Sequence, residues 1–174
     1  MISTIDIAEL ILQTDAAGAP VRLEYVRGHM KWEASPASRH QKMLQRIERS
    51  LRPIPGHPDG CSCAYLADTL IRFNDPDRSI KRPDLAIFCS EPPDSDEALE
   101  IVPAAVVEIL SLGYEEKDLG ADGAPFYLAY GVHDVLIVDP RSGLVYHDIP
   151  QQKRQTLPTP VTVDLTCGYR LTVS

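Results

Sequence analysis

Three short runs of almost uninterrupted apolar residues, 85–89, 104–110 and 135–138, constrain this chain more than anything else in it. Each is bounded by proline, glycine or aspartate and is short for a helix. Runs of that length with no polar face read as central strands covered on both sides. The flanking segments offer the cover. Ile5, Ile7, Leu10 and Ile11 share one face of a first helix that Ser3 or Thr4 is placed to cap. Ser35-Pro36 opens a second helix, with His40, Met43, Leu44, Ile47 and Leu51 on its buried stripe. Residues 115–130 read as a third helix despite Pro125, with Gly131 as its stop.

Shorter strands fill the remainder. Residues 21–26 and 29–33 form a hairpin about Arg27-Gly28, and 64–73 form a strand that ends before Asn74-Asp75-Pro76-Asp77. Residues 144–148 fold back across Pro140-Arg141-Ser142-Gly143, and 161–173 make two strands about Cys167-Gly168. The expected architecture is α/β: one domain over residues 1–174, with a mixed central sheet flanked by helices.

Glu108 interrupts the run Ala104-Ala105-Val106-Val107-Glu108-Ile109-Leu110. A lone carboxylate in a buried strand costs several kcal/mol, so something positive must face it: an arginine or lysine, or a metal ion. Asp84, in Arg82-Pro83-Asp84, leads directly into the apolar strand before it. Two carboxylates on adjacent strands of one sheet can converge on a divalent cation, and hard oxygen donors on a partly open site suit Mg²⁺ or Mn²⁺. The plainer reading of Asp84 is a strand-start residue after proline.

The order Arg-Pro-Asp-Leu-Ala-Ile-Phe, Val-Val-Glu-Ile-Leu-Ser, then Tyr127, Tyr130, Gly131-Val132 and Val138-Asp139-Pro140 resembles a large bacterial family. Its members are restriction-endonuclease-like proteins of the PD-(D/E)xK nuclease superfamily. Leu23-Glu24-Tyr25-Val26-Arg27-Gly28, Ala34-Ser35-Pro36 and His40 extend the likeness toward the N-terminus, so that it covers about Leu23 to Asp148. The resemblance implies a restriction-endonuclease-like fold, with Asp84 and Glu108 as the metal-binding acidic pair and Glu24 as an additional metal carboxylate. It implies Mg²⁺-dependent hydrolysis of DNA phosphodiester bonds.

The chain departs from the motif at one point. Leu110 stands where the motif lysine belongs, two residues after Glu108. Relatives commonly carry a lysine on the following helix instead, at the position that is Gly123 here. Lys117 is the remaining candidate for the catalytic cation. It either folds back toward Glu108 or lies exposed at a helix start, paired with neighbouring acids. If it is catalytic, its replacement by alanine should abolish cleavage and leave folding intact, because a residue in the first turn of a helix contributes little packing. His40 reads first as a core histidine with a satisfied hydrogen bond, and second as a metal or phosphate contact. Trp32, Tyr127 and Tyr130 read as packing residues, and Asp139 as a turn acid before Pro140.

The formal net charge of −8 weighs against a nucleic-acid binder, whose footprint is a basic patch. Basic stretches at Arg39 to Arg52 and at Lys81-Arg82 read as solvated faces. Two functions stay open: an endonuclease, or a nuclease-fold protein without activity that binds DNA or protein. A homodimer is expected, because nucleases that cut both strands commonly use two-fold symmetry. No apolar run reaches the roughly 20 residues that cross a bilayer, and a secretion signal is not evident, so the cytoplasm is expected. Cys89 and Cys167 read as small buried residues, and Cys61-Ser62-Cys63 as reduced thiols rather than a zinc site.

Overall fold

The computed structural model describes residues 6–58 and 62–174. In chain order these form α1 (Ile7–Ala16), β1 (Val21–Val26), β2 (His29–Ala34), α2 (Ser38–Ser50), β3 (Arg52–Pro53), β4 (Ala64–Ala67), β5 (Ile71–Arg72), β6 (Ile80–Lys81) and β7 (Leu85–Phe88). There follow β8 (Ala105–Ile109), α3 (Glu115–Leu119), α4 (Ala124–Ala129), β9 (Asp134–Asp139), β10 (Leu144–Asp148), β11 (Gln155–Pro158), β12 (Val161–Asp164) and β13 (Tyr169–Val173). The strands make a six-stranded sheet ordered β11-β10-β9-β8-β7-β4, a four-stranded sheet β2-β1-β6-β5 and a three-stranded sheet β12-β13-β3. The three apolar runs are neighbours at the centre of the largest sheet, with β7 antiparallel to β8 and β8 parallel to β9. The domain is mixed α/β.

Alternation along the central strands explains why their runs are apolar throughout. Ala86, Phe88, Val106, Val135 and Ile137 point to one face and pack with Phe73, Phe126 and Tyr127. Leu85, Ile87, Val107, Ile109, Leu136 and Val138 point to the other, against Met43 and Ile47 of α2 and Leu171 and Val173 of β13. Glu108 shares the parity of Val106 and faces the Tyr127 side, as does Leu110 at the motif-lysine position, which is buried in the same cluster.

Several boundaries differ from expectation. Residues 115–130 form two helices, because the chain turns at Gly120 and Gly123. A Cβ on Gly123 would lie 1.9 Å from the Asp118 carbonyl oxygen, so only glycine allows this approach of backbone to backbone. Residues 64–73 split into β4 and β5, which belong to different sheets. Asp6 caps α1 by accepting from the Ala8 N–H, whereas Ser3 and Thr4 lie outside the described residues. α2 starts at Ser38, beyond Pro36. Trp32 is 58% exposed rather than packed. Cys89 is exposed and Cys167 half-buried, both in loops, and Cys63 is disulfide-bonded rather than a reduced thiol. No helix among the described residues is long and apolar enough to cross a membrane.

Candidate active site

The joint between the two larger sheets builds the site. β6 lies beside β1 in the four-stranded sheet, and only Arg82-Pro83-Asp84 separates it from β7 in the six-stranded sheet. Proline has no N–H, and the N–H groups on either side of it turn to side chains for partners. Glu24 of β1 accepts from the Arg82 N–H at 2.7 Å, and Glu108 of β8 accepts from the Asp84 N–H at 3.2 Å. Two donors two residues apart lie at most about 7 Å from each other. Glu24, Asp84 and Glu108 are thereby drawn to one joint, and all three are buried.

Each carboxylate meets a different environment. Asp84 accepts from the Ile109 N–H at 2.7 Å, from His40 Nε2 at 2.9 Å and from Arg22 Nη1 at 3.1 Å. Burial alone would raise its pKa, but the His40 hydrogen bond and charge, with Arg22 and the Ile109 N–H, hold it below the ordinary value. Glu24 is buried too, yet Lys117, Lys81 and the Arg82 N–H hold its pKa down. Its Oε2 has no hydrogen-bond partner among the described residues, and Lys81 Nζ lies 3.5 Å away. Glu108 accepts from the Tyr127 hydroxyl at 2.6 Å. Burial, with Asp118, Asp84 and Glu24 close by, pushes its pKa well above the ordinary value against the opposing pull of Lys117. Asp118 is pushed up to about 6, chiefly by burial, with Asp84 adding to the rise and Lys117 opposing it.

Lys117 is not an exposed helix-start residue: its side chain is 11% accessible. Its Nζ lies 3.0 Å from Asp118 Oδ1 and 3.6 Å from Glu33 Oε1. It makes no direct ion pair with Glu108, although it exerts the strongest attraction of any charge on that carboxyl. Burial would lower its pKa, but Glu24, Glu108, Asp118 and Glu33 together raise it well above the ordinary value, so the ammonium stays charged. Because the side chain is buried among acids, the expectation that alanine at this position would leave folding intact does not hold.

Sequence reasoning missed four members of the cluster. Lys81 is fully buried, donates to the Asp122 carbonyl at 2.8 Å and lies 4.6 Å from the Tyr127 ring centroid. Its signal was position: it stands next to Arg82-Pro83-Asp84 in a strand that pairs with the strand of Glu24. Arg22 alternates with Glu24 on β1 and sits opposite Glu33 of β2, and the period-two pattern places them on one face. Asp118 and Glu33 carried no separate signal. Tyr127 packs as expected, and its hydroxyl also serves Glu108. His40 is the buried, hydrogen-bonded histidine expected, with a site carboxylate as its partner. Asp139 accepts from the Arg141 N–H at 3.0 Å, as a turn acid does.

An open pocket of about 420 Å³ reaches the cluster, with Glu24, Lys81 and Lys117 in its wall and Trp32 and Tyr114 at its rim. The oxygen donors, with a Glu24 Oε2 that accepts no hydrogen bond among the described residues, match what a hard divalent cation binds. Among the described residues, no three His, Cys, Asp or Glu side chains stand at ligand spacing. Asp84 is the most committed of the candidates, but its Oδ1 accepts only the Arg22 bond and keeps a lone pair.

The profile of the family Uma2, described as "Putative restriction endonuclease", matches residues 8–174. The chain belongs to the Uma2 family. A crystal structure of "a putative nuclease belonging to DUF820" from Anabaena variabilis superposes with a TM-score of 0.63 at 17% identity. The match covers 84% of this chain and 83% of that one, and it shows a shared fold. No curated protein matches the chain. Leu110 and Gly123 are the two positions at which the resemblance drawn from the sequence would place a lysine, and this chain has none at either. The fold accounts for both: one is filled by core packing, and the other is closed by the Asp118 backbone.

Proposed function

We propose that the chain is a Mg²⁺- or Mn²⁺-dependent endonuclease that hydrolyses DNA phosphodiester bonds. Glu24, Asp84 and Glu108 are the residues that would hold the cation. The observation that carries this reading is the buried acidic cluster at the sheet joint, where Glu24 Oε2 accepts no hydrogen bond among the described residues and burial pushes the Glu108 pKa up. A bound divalent ion supplies a water of lowered pKa and stabilises charge on the phosphate oxygens. Lys117, kept charged by its acidic neighbours, faces the same pocket and stabilises negative charge developing on the scissile phosphate. Lys117, and after it Lys81, hold the Glu24 carboxylate ionised against its burial, and Tyr127 orients Glu108. His40 and Arg22 fix the rotamer of Asp84 and keep it ionised.

The decisive experiment incubates supercoiled and linear DNA with the protein over a Mg²⁺ and Mn²⁺ titration, beside Glu108→Gln. Metal-dependent cleavage that the variant lacks is the expected result. Absence of cleavage with either ion at any concentration would overturn the catalytic reading. The second reading, a nuclease-fold binding module without activity, has Leu110 in its favour. That residue is locked in the core where the motif lysine would stand.

A further inference from the structure

The chain carries a basic track that its net charge conceals. In α2, Arg39, Lys42, Arg46 and Arg49 are three, four and three residues apart, the spacing of one helix face. All four are exposed, each one position before or two after a residue of the buried His40, Met43, Ile47 stripe. Every other lysine and arginine except Arg52 and Lys153 forms an ion pair with an acid among the described residues. Among the described residues these four form none, and Glu48, the only acid in the helix, pairs with none of them. A protein of net charge −8 with so many acids available has left four cations unneutralised along one edge.

The track is continuous with the candidate site. Tyr114 lines the pocket that holds Glu24 and Lys117, and it also lines a neighbouring groove with His40, Arg39 and Arg141. Arg39 passes from that groove into a hollow walled by Ser38, Lys42 and Arg46. From Arg39 to Arg49 the helix rises about 15 Å. One strand of DNA carries a phosphate about every 3.4 Å of axis, so the track matches about four phosphates in length as well as in charge.

The geometry points to α2 as the element that binds the nucleic-acid backbone, guiding one strand past Tyr114 to the carboxylates. This rests on the nucleic-acid reading above but not on catalysis, since phosphate contacts position a strand whether or not it is cut. It replaces the reading of residues 39–52 as a merely solvated face.

The test is fluorescence anisotropy with a labelled 20-base-pair duplex and a labelled 20-nucleotide single strand, in chelator to prevent cleavage. Affinity is followed from 50 to 200 mM salt for wild type and for Lys42→Ala/Arg46→Ala/Arg49→Ala. Arg78→Ala/Lys153→Ala/Arg154→Ala loses the same charge elsewhere and serves as the control. The α2 variant should flatten the slope of log K against log salt by about 2.7 on duplex or about 2.1 on single strand. Its affinity at low salt should fall about tenfold or more, and the control should keep the wild-type slope. The substituted side chains are exposed except for the half-buried Arg154 of the control, and circular dichroism checks that both variants fold. Equal losses in both variants, a wild-type slope in the α2 variant, or no DNA binding by wild type at 50 mM salt would each overturn the assignment. Tight binding without cleavage in Mg²⁺ leaves the track standing while the nuclease reading falls. Cleavage unaffected by the α2 substitutions does the reverse.

Discussion

Asp118→Asn should make the metal-free protein more stable at pH 8, although it removes a charge that contacts Lys117. Burial, the largest influence, and then Asp84 raise the Asp118 pKa from 3.8 to about 6 against the pull of Lys117. That displacement corresponds to about 3 kcal/mol in favour of the neutral acid. Asparagine keeps the shape of the protonated side chain and stays neutral at every pH. A folded-state pKa raised above the unfolded value contributes stability that is fully present below the unfolded value and lost as pH rises through the folded one. Wild type and variant should therefore converge below 3.8, diverge up to about 6 and stay apart above it. For a chain of this size the plateau difference amounts to a melting temperature about 6 to 12 °C higher for the variant. Thermal unfolding by circular dichroism in chelator, at pH 4.5 and pH 8, reads the gap directly. Taking the difference between the two proteins cancels the other cluster carboxylates, which titrate in both. A variant that melts below wild type by the same margin at both pH values would show that the Lys117 contact outweighs desolvation, and the reasoning would fail.

Lys117→Ala should abolish metal-dependent cleavage and also destabilise by about 3 to 5 kcal/mol, since it strands buried acids without their cation. Lys117→Arg should restore folding better than cleavage, and a folded alanine variant that cuts like wild type would remove Lys117 from the chemistry. Gly123→Ala should cost at least about 1 to 3 kcal/mol by overpacking against the Asp118 backbone, and an unchanged urea midpoint would contradict that close approach. Mg²⁺ at about 100 times its dissociation constant should stabilise wild type by about 2.7 kcal/mol, and calorimetry on Glu24→Gln should show that gain lost. A homodimer is proposed for cleavage of both strands, and sedimentation of a monomer at micromolar concentration would count against it.

The three central strands were legible because burial on both faces leaves no room for polar residues, and β7, β8 and β9 are neighbours as expected. Glu108 was legible for the same reason, as the one charge in such a run. What escaped was whatever depends on backbone geometry beyond the local pattern. The turn at Gly120 and Gly123 breaks a stretch that reads as one helix, and the break carries Lys117 and Asp118 into the interior. Lys81 escaped because a lysine in a two-residue strand has no periodicity to betray which way it points. Trp32 was misread since aromatic residues usually signal burial, whereas here the alternation of β2 puts Glu33 inside and Trp32 outside.

That outward tryptophan has a practical consequence. Trp32 is the only tryptophan in the chain, and its ring meets Tyr114 edge-on at a centroid distance of 6.1 Å at the rim of the pocket. Its emission therefore comes from a single place, a few side chains away from Glu24 and Lys117. A nucleotide base stacking on the rim would quench that emission, and a ligand that merely covered it would shift the spectrum to the blue. The protein thus carries its own optical gauge of site occupancy, and titrations can be followed without attaching a dye to it.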